Sequence, residues 1–511
     1  MRQAWCKQYI ATGRLGWIEL LCLLLLVCSV SCQHVPTRSG GPYLATGIKI
    51  GEVTDSRAIV WVRLTSTPER VGDEGPMPTV LYKNPKTGAL EAEPEEKHTA
   101  VPVVQFPKGA TVETLEGAAP GTPGDVRLVY WTDNEESSPR MTPWASVDPN
   151  RDFTHQFVLD GLVPNTLYRI KVETRRPNSQ APGASLYGQF RTAPLASEPA
   201  RVVFGVSTGQ EYMHRDMLDL GFRIYPAMQA LEPHFFVHTG DIVYYDHLAK
   251  SVPLARWHWW RVYSLPTNRE FHRRVPAYFI KDDHDTFMND CWPGMKTTFM
   301  GEFTFEQGQA LFLEQVPMGE KTYRTFRWGK DLQIWLVEGR DFRSPNTMPD
   351  GPEKTIWGRE QKEWFKKTVA ASDATFRVLI SPTPLVGPDR ARKGDNHANS
   401  AFASEGKELR TFLASQKDMI VICGDRHWQY VSIDPETGLR EYSCGPASDE
   451  HAGGWSQDDK RPQHKYLNVV GGFLAVEVTR VNDMPTLILR HCDVNGRVLH
   501  EDLLTPGFSA K

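Results

Sequence analysis

Cysteine is scarce in this chain, with 8 among 511 residues. None sits in CxxC spacing, which excludes a zinc ribbon, and Cys6, Cys22, Cys28 and Cys32 all belong to the extreme N-terminus. The remaining Cys291, Cys423, Cys444 and Cys492 are too widely spaced for a disulfide framework, although they leave room for one bridge. A surplus of one charge is lacking as well. Lys+Arg 58 against Asp+Glu 62 leaves a formal net charge of −4, so no bulk basic surface draws the protein to nucleic acid or anionic lipid. Long apolar runs are confined to residues 20–30, which excludes a multi-span membrane protein. There is no internal repeat, and no glycine-rich phosphate loop of the kind a kinase needs. What is present is the composition of a globular chain, 40% hydrophobic and 23% charged, with enough apolar residues for a sizeable core.

The N-terminus reads as an export signal over residues 1–32. Arg2, Lys7 and Arg14 precede the apolar stretch at 20–30, which is short for a bilayer span, and no Arg-Arg pair stands before it, which favours the Sec route. Ser29-Val30-Ser31-Cys32 resembles a degenerate lipobox, with Ser29 where Leu is usual. Cleavage with a lipidated Cys32, and hence membrane attachment, stands beside plain cleavage and an uncut signal anchor. Residues 33–42, with Pro36, Gly40 and Gly41, form a polar tether. The expected location is outside the cytoplasm, periplasmic or on the cell surface.

Residues 43–195 read as an all-β module. Residues 47–53 and 58–64 are β-rich runs separated by Thr54-Asp55-Ser56 turn chemistry, and residues 67–143 are rich in Pro, Gly, Glu and Thr, as long loops around a few strands would be. Leu162, Pro164, Thr166 and Tyr168 form a phrase that resembles the tyrosine corner of fibronectin type III sandwiches. From 196 to 511 the pattern changes. Short apolar runs at 200–206, 235–238, 276–280, 332–337, 377–380 and 419–423 read as buried strands. Helical stretches near 223–231, 359–370 and 405–415 separate several of them, which implies a sheet with helices on its faces. Strands return at 473–478, 486–489 and 498–504.

The chemistry follows the strands. After 235–238 comes Thr239-Gly240-Asp241, with Tyr244 and Asp246; after 276–280 comes Asp282-Asp283-His284-Asp285, then Asn289-Asp290. After 332–337 comes Glu338-Gly339-Arg340, and after 419–423 comes Gly424-Asp425-Arg426-His427. Ligands of α/β sheets bind at the carboxyl ends of strands, and carboxylate and imidazole donors without thiolates suit hard or borderline cations such as Ca²⁺, Mn²⁺, Fe³⁺ or Zn²⁺. Any one of these loops alone is an ordinary turn; together, in order, they point to a metal site.

The series Gly240-Asp241, Asp283-His284 and Gly424-Asp425-Arg426-His427 resembles that of the calcineurin-like metallophosphoesterases. The Asp-Asp-His-Asp form, the Gly-Asp-x-His ending and a sandwich closing at Thr192-Ala193-Pro194 resemble the PhoD-type alkaline phosphatase/phosphodiesterase branch. The resemblance implies a four-layer α/β/β/α catalytic domain preceded by an all-β fibronectin III-like sandwich. It also implies hydrolysis of phosphate esters, small or polymer-linked, at a Ca²⁺ and Fe³⁺ centre, with Mn²⁺ or Zn²⁺ as alternatives. By the same resemblance Asp241 bridges two cations, Tyr244 binds the ferric ion, Asp283 takes the place of the family's Asn, and Asp395, Asp425 and His427 complete the metal set. His284 then faces the leaving group, Asn289 contacts phosphate, and Arg340 grips phosphate oxygens with its planar fork. A cation cluster of this kind acidifies a water and stabilises the transferring phosphoryl oxygens.

Two departures stand out. Where the family has a cysteine metal ligand, this chain reads Ser207-Thr208-Gly209-Gln210, so Gly209 offers no thiolate and the iron assignment weakens. Glu338 stands where Asp is usual. A non-catalytic surface-binding homologue is the alternative. Trp257-His258-Trp259-Trp260 reads either as a platform for sugar rings or as a helix packed on the core. Asp449-Glu450-His451 with Gly453-Gly454 reads as a loop at the cleft rim or a solvated turn.

Overall fold

The computed structural model of the protein describes residues 40–508, residues 85 and 95 excepted. The residues expected to form an export signal (1–32), the expected lipidation point Cys32 and residues 33–39 of the expected tether lie outside the described residues. Among the described residues no helix is long and apolar enough to cross a membrane.

Two large sheets organise the chain. The first has nine strands in the order Val498–Leu504, Met484–Cys492, Phe473–Val481, Val202–Ser207, Phe235–His238, Ala277–Phe279, Ile48–Gly51, Arg57–Arg63 and Thr154–Asp160. The second has seven, in the order Arg324–Trp328, Leu332–Leu336, Phe376–Ser381, Met419–Cys423, Arg440–Cys444, Gln429–Ile433 and His464–Asn468. Alternation along each strand sends side chains to two different cores. Phe235, Val237, Ile334, Leu336, Val378, Ile380, Ile420 and Ile422 share the core between the sheets. Phe236 instead joins the apolar cluster of the helices Ile224–Gln229, Val252–Tyr263, Pro266–His272 and Phe305–Gln315. Trp335, Val337, Leu379 and Val421 meet Phe365, Val369, Leu409 and Leu413 of the helices Gly358–Ala370 and Ala403–Ala414. The result is the expected α/β/β/α stack, and it explains why the central strands read as unbroken apolar runs: both faces are covered.

The N-terminal module is a sandwich whose two sheets have different partners. Asp125–Thr132, Leu167–Arg175, Ser185–Arg191 and Arg140–Met141 form one sheet. The other (Ile48–Gly51, Arg57–Arg63, Thr154–Asp160) continues the nine-stranded sheet, with Gly51 opposite Ala277 in a parallel pairing. Ile50, Val60, Val62, Leu128, Tyr168 and Ile170 share the inter-sheet core. The corner phrase has its physical counterpart here: the Val163 N–H donates to Tyr168 Oη at 2.9 Å, and the Tyr168 ring stacks on Phe190 at 5.5 Å between centroids.

Helix Phe305–Gln315 was not legible from periodicity, yet it carries a capping box: the Gln307 N–H donates to Thr304 Oγ1 at 3.2 Å, and Gln307 Oε1 accepts from the Thr304 N–H at 3.0 Å. Trp257, Trp259 and Trp260 are buried, so this stretch packs the core and offers no ring platform to solvent. Cys291, Cys423, Cys444 and Cys492 are buried free thiols.

Tyr168→Phe leaves the Val163 N–H without its acceptor inside the corner. We expect it to lower the unfolding free energy by about 1–2 kcal/mol, read as a lower urea midpoint at unchanged slope.

Candidate metal centre

Topology brings the chemical loops to one rim. Val202–Ser207, Phe235–His238 and Ala277–Phe279 run parallel, as do Leu332–Leu336, Phe376–Ser381, Met419–Cys423 and Arg440–Cys444, so their carboxyl-terminal loops emerge together. Backbone contacts tie the loops across the sheets: the Gly209 N–H donates to Gly240 O at 3.2 Å, and the Ala447 N–H donates to Gly209 O at 3.0 Å. Gly240 is required at its position, because it has φ +111 and a Cβ there would stand 2.6 Å from Asp282 Cβ. Asp241 (φ 57) and Asp425 (φ 60) hold left-handed backbone, a conformation that costs free energy in non-glycine residues and concentrates at functional sites.

Asp241 is the hub. Its Oδ2 lies 3.2 Å from Tyr244 Oη and 3.5 Å from His427 Nε2. Tyr244 Oη is in turn 3.4 Å from His427 Nε2 and 3.3 Å from His451 Nε2. Among the described residues four groups of donor atoms each lie within 4.8 Å of one another: Asp241, Asp283 and His284; Asp241, Asp282 and Asp425; Asp283, Asp290 and Asp395; and, beside them, Glu211, His214 and His451. The residues expected to hold metal therefore gather as linked groups around Asp241 and Asp283. A cavity of about 380 Å³ opens beside them, lined by Asp241, His284, Asn289, Asp425, His427 and the basic residues Arg390, Arg392 and Lys393.

Each expected residue has a distinct setting. His284 Nδ1 meets Asp246 Oδ2 at 2.5 Å and its ring stacks on Tyr244 at 4.3 Å, which leaves Nε2 for the cavity. Asn289 is exposed on the cavity wall, with its backbone N–H donated to Asp246 Oδ1 at 2.7 Å. The Asp425 N–H donates to Thr208 Oγ1 at 3.2 Å, and its carboxylate touches Arg426. Asp395 lies 3.5 Å from Arg340 Nη2 and 3.7 Å from Lys393 Nζ. Arg340 sits beneath the cavity, away from its lining. It is fully buried, donating to Asp282 Oδ1 at 2.5 Å with Nη2 3.5 Å from Asp283 Oδ2. Gly205-Val206-Ser207-Thr208-Gly209 spells the Gly-x-Ser-x-Gly pattern of serine hydrolases, but Ser207 is fully buried in a strand and its Oγ is turned to backbone carbonyls.

The electrostatics call for a cation. Asp241 Oδ1 and Asp282 Oδ2 are buried with no hydrogen-bond partner, a costly state for a carboxylate unless a positive charge compensates it. Burial pushes the Asp241 carboxyl up to about 7, with His284 opposing and Asp283 adding to the rise. Burial, reinforced by Asp241 and Glu211, raises the Tyr244 phenol well above its usual range. Burial, with Arg426 and His284, lowers His427 to about 3, so its imidazole is a neutral donor. For His284 burial works in the opposite direction from Asp246, Asp283 and Asp241, and the carboxylates prevail, holding it well above the usual imidazole range. Carboxylate, phenol and imidazole donors fit hard and borderline cations.

Sequence reasoning missed Asp246, Arg390, Arg392, Lys393 and the full part of His451. The Asp389-Arg390-Ala391-Arg392-Lys393 run was a readable signal, since basic residues directly precede Gly394-Asp395. Nothing in the sequence marks Asp246 as the partner of His284, because 38 positions separate them. Cation uptake must expel the Asp241 proton, which is bound below about pH 7 and already lost above it. Calorimetry of divalent-metal binding to chelator-treated protein, in buffers of different ionisation enthalpy, should therefore show roughly one proton more released at pH 6 than at pH 8. Equal release at both pH values would contradict this.

The PhoD-like phosphatase family model matches residues 204–466, more than half of the chain. Alkaline phosphatase D of Bacillus subtilis (strain 168) is 21% identical over 384 residues, 63% of this chain and 63% of that protein. Among solved structures, PhoD superposes with TM-score 0.65 at 15% identity, covering 90% of this chain and 89% of its own. Purple acid phosphatase PPD1 from yellow lupin (Lupinus luteus) seeds gives TM-score 0.54 at 14% identity, covering 90% and 74%. The likeness in fold thus extends over the N-terminal sandwich as well as the two large sheets, and with the family match over the metal-bearing loops the chain belongs to the PhoD-like phosphatases.

Proposed function

We propose that the protein is an exported, metal-dependent hydrolase of phosphate esters. In this reading the sandwich over 43–195 and the catalytic unit over 196–511 work as one body. The observation that carries it is the gathering of Asp241, Tyr244, Asp283, Asp425 and His427 at one rim, with buried carboxylate oxygens lacking partners, beside a cavity walled by Arg390, Arg392 and Lys393. Metal ions bound there would supply Lewis acidity, making a water more acidic and drawing charge from the phosphoryl oxygens. The hard donors support Ca²⁺ and Fe³⁺, with Mn²⁺ or Zn²⁺ as alternatives. The residue pattern of 1–32, with Cys32 as the lipidation point, supports export.

The chain's own groups take the remaining roles. His284, held by Asp246 on Nδ1 and kept protonated by the surrounding carboxylates, presents Nε2 to the cavity as a proton donor for a departing alkoxide. Asn289 offers an amide to a phosphate oxygen from the cavity wall. Arg392 and Lys393 bring positive charge to the same wall, where an anionic ester would be drawn in. The fork expected of Arg340 grips carboxylates instead: its contacts with Asp282, Asp283 and Asp395 support a role in holding the acidic groups together against their mutual repulsion.

The assay is hydrolysis of p-nitrophenyl phosphate and bis-p-nitrophenyl phosphate at alkaline pH, with and without Ca²⁺; failure of a metal-replete protein to cleave either ester defeats the proposal. Asp241→Ala should abolish turnover, and His284→Ala should reduce kcat by about 10²–10⁴ while the far-ultraviolet circular dichroism stays unchanged. Replacing Arg392 and Lys393 together by Ala should mainly raise KM, whereas Arg340→Ala should lower stability by about 3–5 kcal/mol and reduce metal content, seen by thermal unfolding and elemental analysis.

A further inference from the structure

Where the resemblance implies a cysteine metal ligand this chain has Gly209, and the structure indicates what fills the gap. Gly209 has φ +50, and a Cβ built there would lie 3.0 Å from His427 Nε2 and 3.3 Å from His451 Cε1. A side chain at 209 would therefore point between two imidazoles, into space that His451 now occupies. His451 ends the short turn Asp449–His451, on the rim of the seven-stranded sheet. Its side chain is 8% exposed, and its ring centroid lies 4.0 Å from that of His427. His451 Nδ1 is 3.0 Å from Gly209 O. A carbonyl can only accept, so Nδ1 carries the proton and Nε2 holds the free lone pair.

That lone pair faces the donors already described. His451 Nε2 is 3.3 Å from Tyr244 Oη, which is 3.4 Å from His427 Nε2 and 3.2 Å from Asp241 Oδ2, while His427 Nε2 is 3.5 Å from Asp241 Oδ2. Separations of this size suit pairs of donors that share one cation at metal–ligand bonds of about 2.0–2.1 Å, and Tyr244 Oη is the atom common to both imidazoles and to Asp241. Glu211 Oε2 lies 3.7 Å from His451 Nε2 and 2.8 Å from His214 Nδ1, so Glu211 and His214 stand beside His451 as further donors, the three within 4.8 Å of one another. We propose that His451 is a metal ligand through Nε2, completing with Asp241, Tyr244 and His427 the position that a thiolate at 209 would otherwise complete. This rests on the metal-centre reading above. It exchanges a soft anionic donor for a neutral borderline one, which shifts the site's preference toward cations that take imidazole, such as Zn²⁺, Mn²⁺ or iron.

Co²⁺ uptake by the chelator-treated full chain tests this, read by affinity and by the d–d absorption of the loaded protein. His451→Ala, and His451→Gln as a volume-preserving variant in case the first does not fold, should each weaken Co²⁺ binding at least about 10-fold and change the position and intensity of the d–d bands. The unfolding temperature of the metal-free protein should stay near wild type. If both variants keep wild-type affinity and bands while Asp241→Ala loses Co²⁺, His451 is only a hydrogen-bond partner of Tyr244 and the proposal fails alone. If the wild-type chain takes up no Co²⁺, the metal-centre reading fails with it.

Discussion

Crowding of buried carboxylates at the strand ends is the constraint on which the rest of this structure depends. Asp241, Asp282, Asp283 and Asp395 are all at most 2% exposed, close enough that each raises the cost of ionising its neighbours. Arg340, itself fully buried, touches three of them and supplies a permanent positive charge from below. Its reach stops short of Asp241, whose Oδ1 has no partner. The protein side thus answers half of the electrostatic problem and leaves the other half facing the cavity, where a cation is the natural complement.

The fold serves this arrangement at some local cost. Two sheets stacked face to face place parallel strand ends from both at a single rim, so loops far apart along the chain become neighbours. Asp241 and Asp425 turn immediately after their strands in left-handed backbone, and Gly240 allows the chain to pass Asp282 at a distance no side chain would tolerate. The apolar runs behind the rim, covered on both faces, make those strands rigid, and a rigid support is what a metal or phosphoryl-transfer site needs. The sandwich adds to the same body: its strand Ile48–Gly51 pairs with Ala277–Phe279, directly behind the loop that carries Asp283 and His284.

Within that frame, single positions adjust the chemistry. His284 gains its charge from Asp246 as well as from the acidic cluster, so a helix Tyr245–Leu248 that contributes no donor to the cavity lining still bears on proton transfer. Arg340 illustrates the reverse case. A guanidinium that reads in the sequence as a phosphate fork is turned inward because three carboxylates compete for it more closely than a ligand in the cavity would.

Much of this was legible in the amino-acid order. Apolar runs ending in Gly-Asp, Asp-Asp-His-Asp and Gly-Asp-x-His announced both the strands and the donor types, since a buried strand needs continuous apolar residues and its terminal loop is free to carry polar ones. The phrase around Tyr168 announced a corner, because it needs one phenol at a set distance from a backbone N–H. The inward turn of Arg340, the pairing of His284 with Asp246 and the place of His451 beside Gly209 were decided by tertiary structure alone. Each depends on distances between residues that the chain order separates widely, and on burial, which sets whether a charged group faces water, another side chain or a cation. Local spacing settles which groups are available; only the packing of the two sheets settles which of them meet.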